Sequence, residues 1–147
     1  MLISAREKES IAYKSAFYDV LASSDTTKIN QQISVISKLN IESKLAYSGA
    51  LLMKKSGLVK SAHQKLNLFK DGKKKLEKAI SLEPDNGEYR FLRLMIQENC
   101  PPILKYNAQI PEDLKKIQIS YKNFDPDLKT AVLNYSKKSK YLKESDL

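Results

Sequence analysis

The sequence predicts an all-α fold, and three observations carry that prediction. Apolar residues recur at helical steps along most of the chain, strand-like alternation is hard to find, and 4 Gly and 5 Pro in 147 residues leave room for long helices. The expected architecture is about seven helices stacked as antiparallel hairpins in a single domain over residues 1–147. A chain of this length can bury about two-thirds of the surface it exposes when unfolded, so neither a disulfide nor a metal is needed to hold it.

The stretch around which the rest is organised runs from Ala62 to Gln97. Ala62, Leu66, Phe69, Gly72, Leu76, Ala79 and Ile80 fall on one helical stripe, and Lys70, Lys74 and Lys78 recur at steps of four on the other side. Asp71 and Lys75 form an acid-before-base pair that suits a solvated face. Pro84 disfavours helix at Glu83 and sets the helix end near Leu82. Asp85, Asn86 and Gly87 then supply turn and cap chemistry, and Glu88 suits the positive start of the next helix. The two helices are expected to lie antiparallel.

Taken in order, Ile3 to about Ser23 reads as a first helix with Ala12, Ala16, Phe17, Val20 and Leu21 inward, and Ser24 or Asp25 closes it or caps the next. A second begins near Thr26 and carries Ile29, Ile33, Ile36 and Leu39 on one face. A third runs from about Glu42 to Lys55, where Ala46, Gly49 and Ala50 form a small-residue patch that lets another helix approach closely. Gly57 stands where a left-handed helix end is expected. After the central helix, Tyr89, Phe91, Leu92, Leu94, Met95 and Ile96 cover most of the circumference of the fifth, which places it centrally. Asn99-Cys100-Pro101-Pro102 must leave the helix, and an ordered surface loop is expected through Tyr106 and Asn107. Pro111, Glu112 and Asp113 form the first turn of a sixth helix reaching about Lys122. Asp125-Pro126-Asp127 starts the last, with Leu128, Val132, Tyr135 and Leu142 inward and a frayed, Lys-rich tail.

Lys78-Ala79-Ile80-Ser81-Leu82-Glu83-Pro84-Asp85-Asn86 resembles the end of a tetratricopeptide (TPR) repeat, with Gly72, Leu76, Ala79 and Pro84 at the spacing of that pattern. The likeness covers about half of one repeat. With its Leu68-Phe69-Lys70-Asp71-Gly72-Lys73, Arg90-Phe91-Leu92-Arg93-Leu94 and Lys105-Tyr106-Asn107 segments, the stretch from about Leu45 to Ile117 is also similar to a family of short, uncharacterised bacterial helical proteins. Together these resemblances imply a divergent, TPR-like right-handed helical array, and they bring no activity with them.

Composition bounds the function. A net charge of +9 is unevenly spread: Lys54 to Lys78 holds nine lysines against Asp71 and Glu77, Lys115 to Lys143 holds eight against Asp125 and Asp127, and Ala79 to Leu114 is acidic. Such asymmetry favours an anionic partner. A single Cys excludes an internal disulfide. No run reaches the ~18 apolar residues a membrane span needs. With Arg6, Glu7, Lys8 and Glu9 among its first residues, the chain as given lacks a signal-peptide stretch and reads as cytoplasmic. An export signal removed beforehand would leave the same sequence.

Several residues are candidates for function. Arg90, Arg93 and Gln97 make a polar stripe on an otherwise apolar helix, able to grip a carboxylate or phosphate by bidentate hydrogen bonds. The commoner role of such a stripe is ion pairing, with Glu42, Glu88 or Glu98 as partners. Tyr106 and Asn107 would border the same groove. Lys70, Lys74 and Lys78, with Lys137, Lys138 and Lys140, form the basic surface; with Phe69, Tyr121, Tyr135 and Tyr141 nearby they could contact nucleic acid, although a solvated face is the simpler account. His63 and Cys100 have no neighbours at ligand or nucleophile spacing, and no phosphate loop or hydrolase elbow occurs, so neither a cofactor, a metal nor catalysis is expected. The expected function is a non-catalytic scaffold that binds a peptide or protein partner, acidic in character, through a helical groove. The alternative is an electrostatic binder of nucleic acid or an anionic membrane surface.

Overall fold

The computed structural model describes residues 5–147, with side chains described from Tyr13 onward. The described residues form seven α-helices and three 3-10 turns, with no strand among them: α1 (Ala5–Ala22), α2 (Thr26–Lys38), α3 (Lys44–Ser56), α4 (Ala62–Leu82), α5 (Gly87–Asn99), α6 (Ile110–Ser120) and α7 (Pro126–Ser136). The all-α expectation therefore holds: the expected bounds of α3, α4, α5 and α6 fall within two residues of the observed ones, the expected start at Ile3 lies outside the described residues, and α7 ends at Ser136, short of Leu142. The chain forms two compact units, the first ending at Ala79 and the second Ile80–Leu147.

The first unit is built on α1, α2 and α3. Asp25 is the residue that caps α2, its carboxylate accepting from the Lys28 amide at 3.1 Å. Ile29, Ile36 and Leu39 are buried as the stripe requires, with Ile33 at its margin. Phe17 of α1 stacks on Tyr47 of α3 with ring centroids 3.8 Å apart and planes within 4°. Ala16, expected inward, is exposed, and Ala12 lies outside the described side chains.

α3 and α4 meet where both helices carry glycine. A Cβ on Gly49 would stand 2.7 Å from the Gly72 carbonyl oxygen and 2.8 Å from the Leu76 amide nitrogen; one on Gly72 would stand 2.6 Å from the Gly49 carbonyl oxygen. The small-residue patch thus lets two backbones touch. Gly57, by contrast, ends α3 at φ −72°, in the right-handed region, so the expected left-handed cap is absent. The stripe of α4 is buried from Phe69 onward, whereas Ala62 and Leu66 are exposed. Gly49 faces Gly72 and Leu76 while Met53 faces Gly72, so the helices run antiparallel, and the part of α4 before about Phe69 lies beyond the end of α3.

In the second unit, Pro84 and Asp85 make the turn before α5, and the Asn86 side chain caps it by accepting from the Tyr89 amide at 3.1 Å. Nine of the thirteen residues of α5 are buried, including Phe91, Leu92 and Leu94 at 0% exposure, while Met95 is partly exposed. α6 packs along it in the opposite direction: a Cβ on Gly87 at the start of α5 would lie 2.4 Å from the Cβ of Ser120 at the end of α6, and the Gln97 side chain accepts from the Gln109 amide just before α6. Asp125 caps α7 by accepting from the Leu128 amide at 2.9 Å. The tail is not frayed. Leu142 is fully buried, and the Glu98 carboxylate at the end of α5 accepts from the Tyr135 hydroxyl, the Ser139 hydroxyl and the Lys140 amide at 2.6, 2.8 and 2.6 Å.

Candidate functional site: a buried ionic cluster between α5 and α6

Arg90, Arg93 and Gln97 recur at steps of three and four, so the turn of α5 points all three to one side, as the sequence requires. That side faces α6. The three are 5, 5 and 3% exposed, and they converge on Asp113, which is completely buried. The Arg93 guanidinium grips this carboxylate with two parallel bonds, Nε to Oδ2 at 2.9 Å and Nη2 to Oδ1 at 2.8 Å. Arg90 Nη1 donates to Oδ1 at 3.2 Å, and Gln97 Nε2 donates to Oδ2 at 2.7 Å. Each carboxylate oxygen therefore accepts two bonds, which nearly exhausts its capacity.

The surrounding contacts extend the cluster to the backbone. Arg90 also donates from Nε and Nη2 to the Pro84 carbonyl oxygen, at 3.0 and 2.6 Å, which ties the turn before α5 to the same centre. Its Nη1 lies 3.3 Å from the half-exposed Glu112 carboxylate. The buried groups are two arginines and one carboxylate, and the second acid, Glu112, meets Arg90 from the solvent side. The expected ion pairing is present, and its partners include two acids that the helical spacing did not single out, Asp113 and Glu112 of α6. The bidentate grip is also present, turned inward on a carboxylate of the chain itself.

The rule for acids in a first helical turn accounts for Asp113, and the signal that sets it apart lies in spacing. Ile110, Asp113 and Ile117 form the buried row of α6, so Asp113 interrupts an apolar stripe just as Arg90 and Arg93 interrupt that of α5. Oppositely charged interruptions on two consecutive helices are the clue.

The remaining candidates are placed elsewhere. Tyr106 is 7% exposed and belongs to the core, a correction to its expected place on a surface loop, while Asn107 is exposed. A loop that re-enters the fold needs an apolar anchor, and Tyr106 supplies it. Lys70, Lys74 and Lys78 are exposed on α4, and Lys137, Lys138 and Lys140 are exposed after α7, with Lys138 Nζ 5.5 Å above the Tyr135 ring. Tyr135 is buried, and burial first, then the hydrogen bond to Glu98, pushes its phenol well above the ordinary value of 10.0. His63 pairs with Asn67 one turn on, and Cys100 Sγ lies 3.6 Å from the Gln97 and Tyr106 carbonyl oxygens. Among the described residues, no group of three or more His, Cys, Asp or Glu is placed to hold a metal ion. No protein family, curated protein or solved structure matches the chain.

Proposed function

We propose that the chain is a non-catalytic interaction module for an acidic protein partner, and that Lys70, Lys74 and Lys78 of α4 make the contact. The observation that carries this reading is that all three lysines are exposed on one four-residue row of a 21-residue helix. Successive members of such a row rise about 6 Å along the axis, the same interval as acids four apart on a partner helix. The arginines that first suggested carboxylate recognition spend their hydrogen bonds on Asp113 and Pro84, which moves the expected contact from the groove to the lysine row. The tetratricopeptide resemblance of Lys78 to Asn86 supports a protein partner over a nucleic acid.

Each exposed ion pair contributes about 0.2–1 kcal/mol. Binding through three of them is weak, fast and salt-sensitive. The test is the fluorescence anisotropy of a labelled, glutamate-rich helical peptide, titrated at ~50 mM and ~200 mM salt, with the Lys70→Glu/Lys74→Glu/Lys78→Glu variant alongside. Saturable binding that the charge reversal removes is the expected result. Equal binding by the variant, or displacement of the peptide by a short DNA duplex at lower concentration, would overturn the proposal.

A further inference from the structure

The loop between α5 and α6 holds an apolar tip in water and holds it rigidly. Pro101, Pro102 and Ile103 are exposed, Ile103 at 85%, and Leu104 is half-buried. A run of consecutive exposed apolar residues is what a soluble surface avoids unless it is used. Here the run is fixed rather than loose. The Leu104 amide donates to the Pro101 carbonyl oxygen and the Lys105 amide to that of Pro102, both at 3.0 Å, so that the tip is a closed 3-10 turn. Lys105 ends the turn in the left-handed region at φ 51°, a conformation that costs a non-glycine residue and is retained where the surroundings impose it. Both feet are anchored: before the tip the Cys100 amide donates to the Ile96 carbonyl oxygen at 2.9 Å, and after it Tyr106 is buried and the Gln109 amide donates to Gln97 Oε1 at 2.9 Å.

Lysines gather at the same end of α5. Asn99 Nδ2 donates to the Tyr135 hydroxyl at 2.9 Å and the Lys140 amide to Glu98 Oε1 at 2.6 Å, so residues 135–140 pack on the turn from which the loop departs. Lys105, Lys137, Lys138 and Lys140 are all exposed. The acid at this end, Glu98, is engaged by Tyr135, Ser139 and Lys140, and no other acid occurs between residues 99 and 111. The result is a convex apolar knob with a basic rim.

We propose that this end of the second unit docks on an anionic bilayer surface, with Ile103 entering the acyl boundary and Lys105, Lys137, Lys138 and Lys140 resting among the headgroups. Charge complementarity selects the anionic surface: each lysine near such a membrane raises partition about fivefold. Convexity selects a bilayer over a protein pocket, because a protruding side chain inserts into lipid without a matched cavity. The contact is interfacial, since no helix among the described residues is long and apolar enough to cross a membrane.

The chain has no Trp, so Ile103→Trp adds a single reporter at the tip. Its emission should shift to the blue with phosphatidylserine–phosphatidylcholine vesicles and stay unshifted with phosphatidylcholine alone. In co-sedimentation, Ile103→Asp should lower partition about tenfold or more, the effect of losing one buried aliphatic side chain. Its melting temperature should match the wild type, because the residue contacts water. Absence of wild-type binding, an unshifted emission, or full binding by Ile103→Asp would overturn the proposal, as would a blue shift elicited by an acidic peptide and not by vesicles.

Discussion

Replacing Gly49 by Ala should destabilise the chain although alanine is the better helix former. In a helix interior the exchange gains about 1 kcal/mol of propensity. Against that, the new Cβ would lie 2.7 Å from the Gly72 oxygen and 2.8 Å from the Leu76 nitrogen. Both are backbone atoms of α4, and neither can rotate aside as a side chain can. Relief requires the two helices to move apart by a substantial fraction of an ångström, which loosens Met53 and Leu76 as well. Overpacking of this kind costs about 1–3 kcal/mol, more where backbone must shift. With both obstructing atoms on the backbone the cost falls in the upper part of that range, about 2–3 kcal/mol, so the net loss is about 1–2 kcal/mol, or ~2–8 °C in melting temperature for a chain of this size. Gly57→Ala is the internal control: its Cβ would meet nothing closer than 3.5 Å, and its φ of −72° suits any residue. That variant should be neutral or more stable by about 0.4–1 kcal/mol. Thermal melts followed by circular dichroism measure both. Gly49→Ala melting at or above the wild type would refute the close approach of α3 and α4, and with it the reading of the small-residue patch.

Two further outcomes concern titration. Because burial raises the Tyr135 phenol, the unfolded chain loses that proton at lower pH than the folded one, so stability should be intact below pH ~10 and fall as pH rises beyond it; urea melts on Tyr135→Phe should show a shallower alkaline decline. Lys116 holds the exposed Asp85 carboxyl below its ordinary 3.8, first by hydrogen bonding and then by charge. Its contribution is present above that value and is lost as pH falls through the lowered one. A carboxyl NMR titration of Lys116→Ala should return Asp85 to its ordinary range, and an unchanged Asp85 would contradict the pairing.

Much of the architecture was legible because the apolar periodicity and caps act locally. Asp25, Asn86 and Asp125 cap helices where their chemistry allows, and Pro84 ends α4 as its missing amide demands. What escaped the sequence depends on contacts between distant residues. Leu66 fits the stripe of α4, yet nothing in spacing reveals that it lies beyond the end of α3. Glu98 looked like a partner for the arginines and instead receives three donors from 37 to 42 residues downstream. The polar stripe of α5 was visible from the start, but its partner was not, because Asp113 also satisfies the rule for acids in a first helical turn.

That cluster decides whether the arginines serve the fold or a ligand, and Asp113→Asn tests it in one denaturation curve. If two buried arginines depend on this carboxylate, its neutralisation strands their charge and should cost about 3–5 kcal/mol, as for other broken buried pairs. A midpoint unchanged from the wild type would contradict the structural role and return Arg90 and Arg93 to candidacy as a binding site.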